Sequence, residues 1–471
     1  METSKNKVFV LFGGTGDLAY RKLFPALYNL NVRGCLPDDY QIIGIGRRDY
    51  TAEEYIEIIR TWVQQFSRLE YTEEGFDALA RKIRYLQMDM KDVMAYERLG
   101  EFYEELGISD NIIYYYAVSP ELFRYITKGL TVIHKRNEDN KVIVEKPFGK
   151  NLEDAGKLNR ELEDFFRCEN IYRIDHYLGK EMLMNIMTIR FHNTIFKGIW
   201  NKDFIDNIQI NAFETVGVGS RAGYYDQSGA TKDMVQNHLL QILTIIAMEE
   251  PTDNTADAVH KAQERVLDSF RPVQSGEILN YMVKGRYRGY TEEENVAPDS
   301  KTETYAALKF FVENERWTGV PFYIRTGKKM GKRESEVRIQ FKGDNPDEAN
   351  VLLIRIQPAE GIVLKLFIKK PGTTQEIVKV SMDYWQSDVL ENIMNTPEAY
   401  ERLIQACRVS EKGLFTEWEQ IQKSWSFVNK MVALYAEEGG DVHEYEPGSY
   451  GPLEANRILA PGSRWIVEDQ T

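Results

Sequence analysis

The chain is poor in cysteine. Among 471 residues only Cys35, Cys168 and Cys407 occur, an odd number without C-x-x-C spacing, which leaves no basis for a disulfide framework or a thiolate zinc site. It is also short of positive charge. Against 73 Asp and Glu stand 59 Lys and Arg, and the net charge of −14 speaks against a nucleic-acid or anionic-membrane partner, since either would call for a basic face. An anionic ligand must then be held by a local basic pocket. No apolar run approaches the roughly 18 residues of a membrane span, and no repeat or low-complexity linker occurs. Met1-Glu2-Thr3-Ser4-Lys5-Asn6-Lys7 leads into a strand without a signal-peptide pattern. With 43% hydrophobic and 28% charged residues, a cytoplasmic protein of two or three domains is expected.

Val8-Phe9-Val10-Leu11-Phe12 is an uninterrupted apolar run, the pattern of a central parallel strand covered on both faces. Gly13-Gly14-Thr15-Gly16-Asp17-Leu18-Ala19 follows at once, and Lys22–Tyr28 reads as a helix. Counted from Gly14 the turn is G-x-G-x-x-A. Its glycines permit a tight turn and close backbone approach to a pyrophosphate, Ala19 permits close helix–strand packing, and the helix N-terminus offers N–H groups to the anion. The next strand, Gln41–Gly46, ends in Arg47-Arg48 where an NAD enzyme usually offers a carboxylate. Arginine suits a 2′-phosphate, so NADP is favoured, although two solvated surface arginines would leave the same trace. Strands at Arg84–Met88, Asn111–Val118 and Lys141–Val144 alternate with helices at Val93–Leu106 and Glu121–Lys135, which predicts a doubly wound parallel sheet. The last of these strands runs into Glu145-Lys146-Pro147-Phe148-Gly149 at the carboxyl edge, where ligands of such folds bind. Lys146 is placed there to face nicotinamide and substrate, and Pro147 is a candidate for an unusual backbone isomer.

The chemical centre of the chain is Arg173-Ile174-Asp175-His176-Tyr177-Leu178-Gly179-Lys180-Glu181. A packing segment has no use for so many polar functions, because burying them unpaired costs roughly 1–3 kcal/mol each. Beyond it, Met182–Trp200 reads as one or two helices and Ile208–Glu214 as an alternating strand ending in a carboxylate. Ser228–His238 then runs into the apolar Leu239–Ile246, the all-round pattern of a buried helix. Asp233 adds a polar group on nearly the same face as His238, although a histidine at such a position is commonly a satisfied core residue. Strands Thr304–Val312, Glu336–Phe341, Val351–Gln357, Ile362–Ile368 and Glu376–Val380 suggest an antiparallel sheet with one face covered by helices. Helices are expected at Glu398–Cys407 and Glu417–Ala436. The loop Arg325–Arg333 is the local cation cluster that an acidic protein would need, and a solvated hairpin would read alike.

Four segments together, Gly13–Ala19, Glu145–Gly149, Arg173–Glu181 and Asp233–Gln241, resemble the glucose-6-phosphate dehydrogenase family, and the resemblance runs from Val8 to about Trp465. It implies an α/β plus α+β fold, with an NADP-binding Rossmann-like domain over 1–172 and a substrate-binding and oligomerisation domain over 173–471 with a mainly antiparallel sheet. It implies oxidation of glucose 6-phosphate to 6-phosphoglucono-1,5-lactone with hydride transfer to NADP, or in some members NAD, as the first step of the oxidative pentose phosphate pathway. His238 matches the general base and Asp175 the carboxylate that orients it. His176, Tyr177 and Lys180 match residues around the sugar phosphate. Glu214, Asp233, Lys146 and Gln357 match residues contacting sugar hydroxyls, and Lys328 and Arg333 match further substrate cations. On the cofactor side the matches are Gly13, Gly14, Thr15, Gly16, Asp17, Leu18, Ala19, Lys22, Arg47, Asp89, Met90 and Lys146. No metal is implied, and a homodimer or homotetramer is expected. Some members hold a second, structural NADP; Arg338, Arg355 and Lys370 are kept near the corresponding positions, but Glu334 and Tyr450 stand where that site would want cations.

Two other readings share parts of this pattern. An oxidoreductase for an unphosphorylated sugar or inositol leaves the basic loop unexplained, and a non-enzymatic NADP sensor leaves Asp175 and His238 unexplained.

Overall fold

The structure, a computed structural model, describes residues 7–133, 139–344, 348–388 and 397–466. The chain divides into two compact units. One comprises Met1–Gly179, Thr255–Asp257 and Thr396–Gln422; the other comprises Lys180–Asn254, Ala258–Asn395 and Lys423–Thr471.

In the first unit, β1 (Val8–Phe12), β2 (Gln41–Gly46), β3 (Ile83–Gln87), β4 (Ile112–Tyr116), β5 (Lys141–Val144) and β6 (Ile171–Ile174) form a parallel sheet in the order β6-β5-β4-β1-β2-β3. β1 lies between β2 and β4, so the winding direction reverses beside its carboxyl end, the place where such sheets open a ligand crevice. β1 and β4 are buried throughout because helices cover both faces. The expected helix Glu121–Lys135 is a short 3₁₀ turn at Pro120–Leu122 followed by Phe123–Ile133; Lys135 lies outside the described residues. Helices Ala52–Phe66, Glu73–Ala80 and Leu152–Glu163 and strand β6 were not anticipated. The first of these carries its own start signal, a capping box in which Thr51 and Glu54 satisfy each other's backbone N–H groups. The boundary expected between 172 and 173 falls inside β6. The first unit also takes Thr396–Gln422, since Leu403, Ile404, Cys407 and Phe415 complete the core formed by Phe9, Leu11 and Tyr172, and Phe415–Thr416 pairs antiparallel with β6.

The second unit is built on nine strands: β7 (Ile205–Phe213), β8 (Met282–Tyr287), β9 (Tyr305–Phe311), β10 (Pro321–Gly327), β11 (Glu334–Phe341), β12 (Val351–Gln357), β13 (Gly361–Lys369), β14 (Ile377–Trp385) and, with Phe415–Thr416 counted as β15, β16 (Val442–Tyr445). Their order is β14-β13-β12-β11-β7-β10-β9-β8-β16. Most neighbours are antiparallel, but β10 runs parallel to β7 and β16 parallel to β8. The sequence predicts one covered face, whereas the central strands β10 and β11 are buried on both. On the polar face Gln209 donates to the Arg464 carbonyl and accepts from the Ile466 N–H, and Arg325 stacks on Trp465 at 4.0 Å, so the C-terminal segment covers it. Alternation in sequence marks two faces; it does not say that water reaches one of them.

Candidate active site

Residues singled out in the first unit stand just past the carboxyl ends of its parallel strands: Gly13 after β1, Arg47 after β2, Asp89 and Met90 after β3, Lys146 after β5 and Asp175 after β6. Gly13 has φ +88°, and a Cβ there would lie 2.3 Å from the Ala117 carbonyl oxygen; a Cβ on Gly14 would meet the Tyr55 hydroxyl at 2.7 Å. The N–H groups of Gly13 and Gly14 both donate to the Ile45 carbonyl, at 3.0 and 2.8 Å, and Tyr55 donates to the Gly14 carbonyl at 2.8 Å. Neighbouring backbone and the Tyr55 hydroxyl therefore fill space that side chains would occupy, and the packing of this tight strand-to-helix turn requires glycine at both positions. Thr15, Gly16 and Leu18 are half-buried, Ala19 is fully buried, and exposed Asp17 pairs with Arg21 at 2.7 Å. The helix after the turn opens with wide, π-type turns over Ala19–Leu23 before Phe24–Val32. Lys22, on that wide segment, makes an exposed pair with Glu398 at 3.2 Å, a contact that is easily exchanged for an anion.

Both arginines after β2 are exposed; Arg48 donates to the Tyr50 hydroxyl at 3.2 Å and its carbonyl accepts from Tyr85 at 2.5 Å, and the Arg47 carbonyl accepts from the Gln87 amide at 3.4 Å. Asp89 accepts from the Lys91 N–H at 3.0 Å, and the Met90 carbonyl accepts from Tyr96 at 2.9 Å. The Lys146–Pro147 bond is cis.

Beside it stands a residue whose environment the sequence did not reveal. Glu145 accepts from Tyr115 at 2.6 Å; burial pushes its carboxyl above the ordinary range, against hydrogen bonds from Tyr115 and Tyr400 and the charge of Lys146. A glutamate directly before Lys-Pro at a strand end was the available signal. Because the folded state holds this proton more tightly than the unfolded chain, its contribution to stability is present at low pH and lost as pH rises through the raised pKa. Glu145→Gln should remove that loss. Melting temperatures at roughly pH 5 and pH 8 check this; an unchanged pH dependence would show that Glu145 does not titrate there.

Asp175 is 3% exposed and accepts from the Tyr177 N–H at 3.0 Å, while its own carbonyl accepts from Leu178 at 2.9 Å, so the turn after β6 fixes the carboxylate. His176 is half-buried and packs on buried Tyr177 with ring centroids 5.1 Å apart. Arg173 is a different matter. It is buried within β6 and donates to Asn159, so it serves the fold of the first unit.

In the second unit Lys180 donates to the side-chain carbonyl of Gln357 at the end of β12, and Gln357 in turn donates to Ser335 at 2.9 Å. Glu214 and Lys328 follow β7 and β10, which are parallel neighbours in register at Phe213 and Gly327; the ends coincide, and the two side chains form an ion pair. Lys328 also stands over the Tyr225 ring at 5.4 Å. Arg333, matched with Lys328 as a further substrate cation, is exposed just before β11. Glu334 pairs with Lys332 at 2.5 Å and lies 3.5 Å from Arg338, so its charge is balanced within the unit.

His238 is fully buried, and Asp233 is buried 3.8 Å from the Arg221 guanidinium. Their helix differs from the regular one the pattern suggests. Thr231–Leu239 is a wide, π-type segment that passes into a regular helix at Leu240–Ala247. In a regular helix, residues five apart point about 140° away from each other; a repeat closing its hydrogen bonds at i+5 brings them much nearer to one face. The nearly common face expected for Asp233 and His238 therefore requires the wide turn.

A parallel sheet in this strand order, a glycine-rich turn after β1 and an exposed arginine after β2 are those of a dinucleotide-binding protein. Family models described as "Glucose-6-phosphate dehydrogenase, NAD binding domain" and "Glucose-6-phosphate dehydrogenase, C-terminal domain" match residues 10–185 and 187–466, and the chain belongs to the glucose-6-phosphate dehydrogenase family. It is 37% identical to the glucose-6-phosphate 1-dehydrogenase of Bacillus subtilis (strain 168) over 484 residues, covering 97% of this chain and 98% of that protein. A solved glucose-6-phosphate dehydrogenase in complex with its substrate glucose-6-phosphate is similar with a TM-score of 0.89 at 32% identity, covering 99% of this chain and 100% of that one. The crystal structure of the Mycobacterium avium enzyme gives a TM-score of 0.85 at 32% identity, with 98% of each chain covered.

Proposed function

We propose the following division of labour for the family reaction, in which the chain oxidises glucose 6-phosphate with NADP as cofactor. The observation that carries it is the placement of the glycine turn, Arg47, Lys146 and Asp175 at one sheet edge. Gly13, Gly14, Thr15, Gly16, Asp17, Leu18, Ala19 and Lys22 hold the pyrophosphate region, Arg47 the 2′-phosphate, and Asp89, Met90 and Lys146 complete the cofactor set. When bound, NADP supplies the hydride acceptor. His176, Tyr177 and Lys180 hold the sugar phosphate. Lys146, Glu214, Asp233 and Gln357 orient the sugar hydroxyls, and Lys328 and Arg333 add positive charge toward the substrate. His238 removes the proton of the C1 hydroxyl as hydride leaves C1, and Asp175 supplies the carboxylate that stabilises the imidazolium. The product is 6-phosphoglucono-1,5-lactone, and the reaction opens the oxidative pentose phosphate pathway.

Reduced-cofactor absorbance with glucose 6-phosphate, glucose and inositol as parallel substrates tests this reading. Glucose 6-phosphate should be strongly preferred; equal rates with glucose would favour the unphosphorylated-sugar reading. Arg47→Ala should raise KM for NADP roughly 10- to 150-fold while leaving NAD nearly unchanged, because a charge-assisted contact of about 1.5–3 kcal/mol exists only with the 2′-phosphate. Equal effects on both cofactors would place the arginine elsewhere.

No helix among the described residues is long and apolar enough to cross a membrane. The three cysteines are free, as a reducing compartment keeps them, and we place the reaction in the cytoplasm. The homo-oligomer is assigned to the outer strands of the second unit, where Ile368, Met382 and Tyr384 share one face and are 46%, 63% and 42% exposed. Sedimentation of Met382→Glu against the parent chain tests the assignment.

A further inference from the structure

The helix that carries Asp233 and His238 is held at both ends by buried side chains of its own unit. At its start, Gly229 breaks the preceding helix with φ 71° and ψ 173°, and Glu303 closes in on the gap. A Cβ on Gly229 would lie 2.8 Å from that carboxylate. Thr231 N–H donates to Glu303 Oε1 at 3.1 Å, Ala230 N–H donates to the Glu303 carbonyl at 3.0 Å, and Lys284 balances the charge from 3.7 Å. An anion there meets free N–H groups and the positive end of the helix dipole.

At the far end the carbonyls of Ile245, Ile246, Ala247 and Met248 have lost their successors in the helix, and side chains answer all four. Arg190 donates to Ile245 and Met248, each at 2.6 Å, Trp200 Nε1 donates to Ile246 at 2.9 Å, and Trp317 Nε1 donates to Ala247 at 2.7 Å. Arg190, Trp200 and Trp317 are 2%, 1% and 0% exposed. Helix-end carbonyls can be answered by water or by tightened last-turn bonds, so a buried guanidinium and two buried indoles are an expensive way to hold one.

Their purpose follows from the wide segment between the clamps. A π-type repeat fits an extra residue into each turn, and it relaxes by lengthening and rotating into a regular helix. With both ends fixed, it cannot lengthen. We infer that Glu303 at one end and Arg190, Trp200 and Trp317 at the other are positioning residues that keep the helix wide and so fix the direction of the His238 imidazole. The inference rests on the reading of His238 as the base.

Trp317→Phe removes the N–H donor and keeps the ring; Arg190→Lys keeps the charge, and Arg190→Met removes it. Trp317→Phe should lower kcat about tenfold with KM for both substrates within about twofold and cooperative melting retained, since small misplacement of a catalytic group costs rate before binding. Arg190→Lys should retain more turnover than Arg190→Met. Added to His238→Asn, Trp317→Phe should cost nothing further, because the group it positions is gone. Unchanged kcat in folded Trp317→Phe and Arg190→Met, or the full tenfold loss recurring in the His238→Asn background, would overturn the inference. Near-wild-type turnover of His238→Asn alone is a different failure. It would remove the base assignment, and the clamp's role with it.

Discussion

His238→Asn should lower kcat by at least about 100-fold while leaving the dissociation constant of glucose 6-phosphate largely intact, because general-base catalysis contributes 10²–10⁴-fold and little to ground-state binding. The side chain is fully buried on a helix of the second unit, and asparagine keeps polarity and approximate bulk without a basic nitrogen. Measuring kcat and substrate affinity on the same preparation separates lost chemistry from lost folding. A variant that turned over near the parent rate would take His238 out of the mechanism, whatever its burial.

Lys180→Ala should weaken kcat/KM for glucose 6-phosphate by roughly 10- to 150-fold, equivalent to about 1.5–3 kcal/mol, while barely changing the poor activity toward free glucose. The reason begins with the whole chain: at a net charge of −14, a dianion can be held only where cations converge. Lys180 is pre-set for such a task. Its ammonium is fixed by the Gln357 carboxamide, itself held by Ser335, so little side-chain entropy remains to be lost when the phosphate arrives. The comparison of two sugars is the informative measurement. Equal losses on both would move Lys180 to the hydride-transfer centre and leave phosphate recognition to Lys328 and Arg333.

Much of the first unit could be read in advance because its signals are local. The apolar run Val8–Phe12, the glycine turn and the arginine after β2 each occupy a few consecutive residues, and the two strands form where the pattern puts them. Strand β6 could not be read in this way. Its four residues include Arg173, which looks like a site residue beside Asp175 and His176 but is buried against Asn159. Sequence shows that a residue can be charged; only a partner 14 positions away shows that its charge is spent inside the core. Glu145 was hidden for the same reason, since the tyrosines that hold it come from β4 and from a helix near residue 400.

By itself the sequence determined the dinucleotide-binding sheet and the family, because these depend on residue types at short, fixed spacings, and its composition determined the net negative charge. Tertiary structure alone decided which charges are paired and which are offered. It paired Glu214 with Lys328 through parallel strand ends more than a hundred residues apart, balanced Glu334 against Lys332 and Arg338, and laid the C-terminal segment over a face that alternation had left to water. It also set Asp233 and His238 on a wide, π-type segment rather than on a regular helix. In a regular helix the five-residue spacing would separate the two by about 140°, so the nearly common face read from the sequence requires the wide turn, which lies between buried side chains that the sequence places far from either residue.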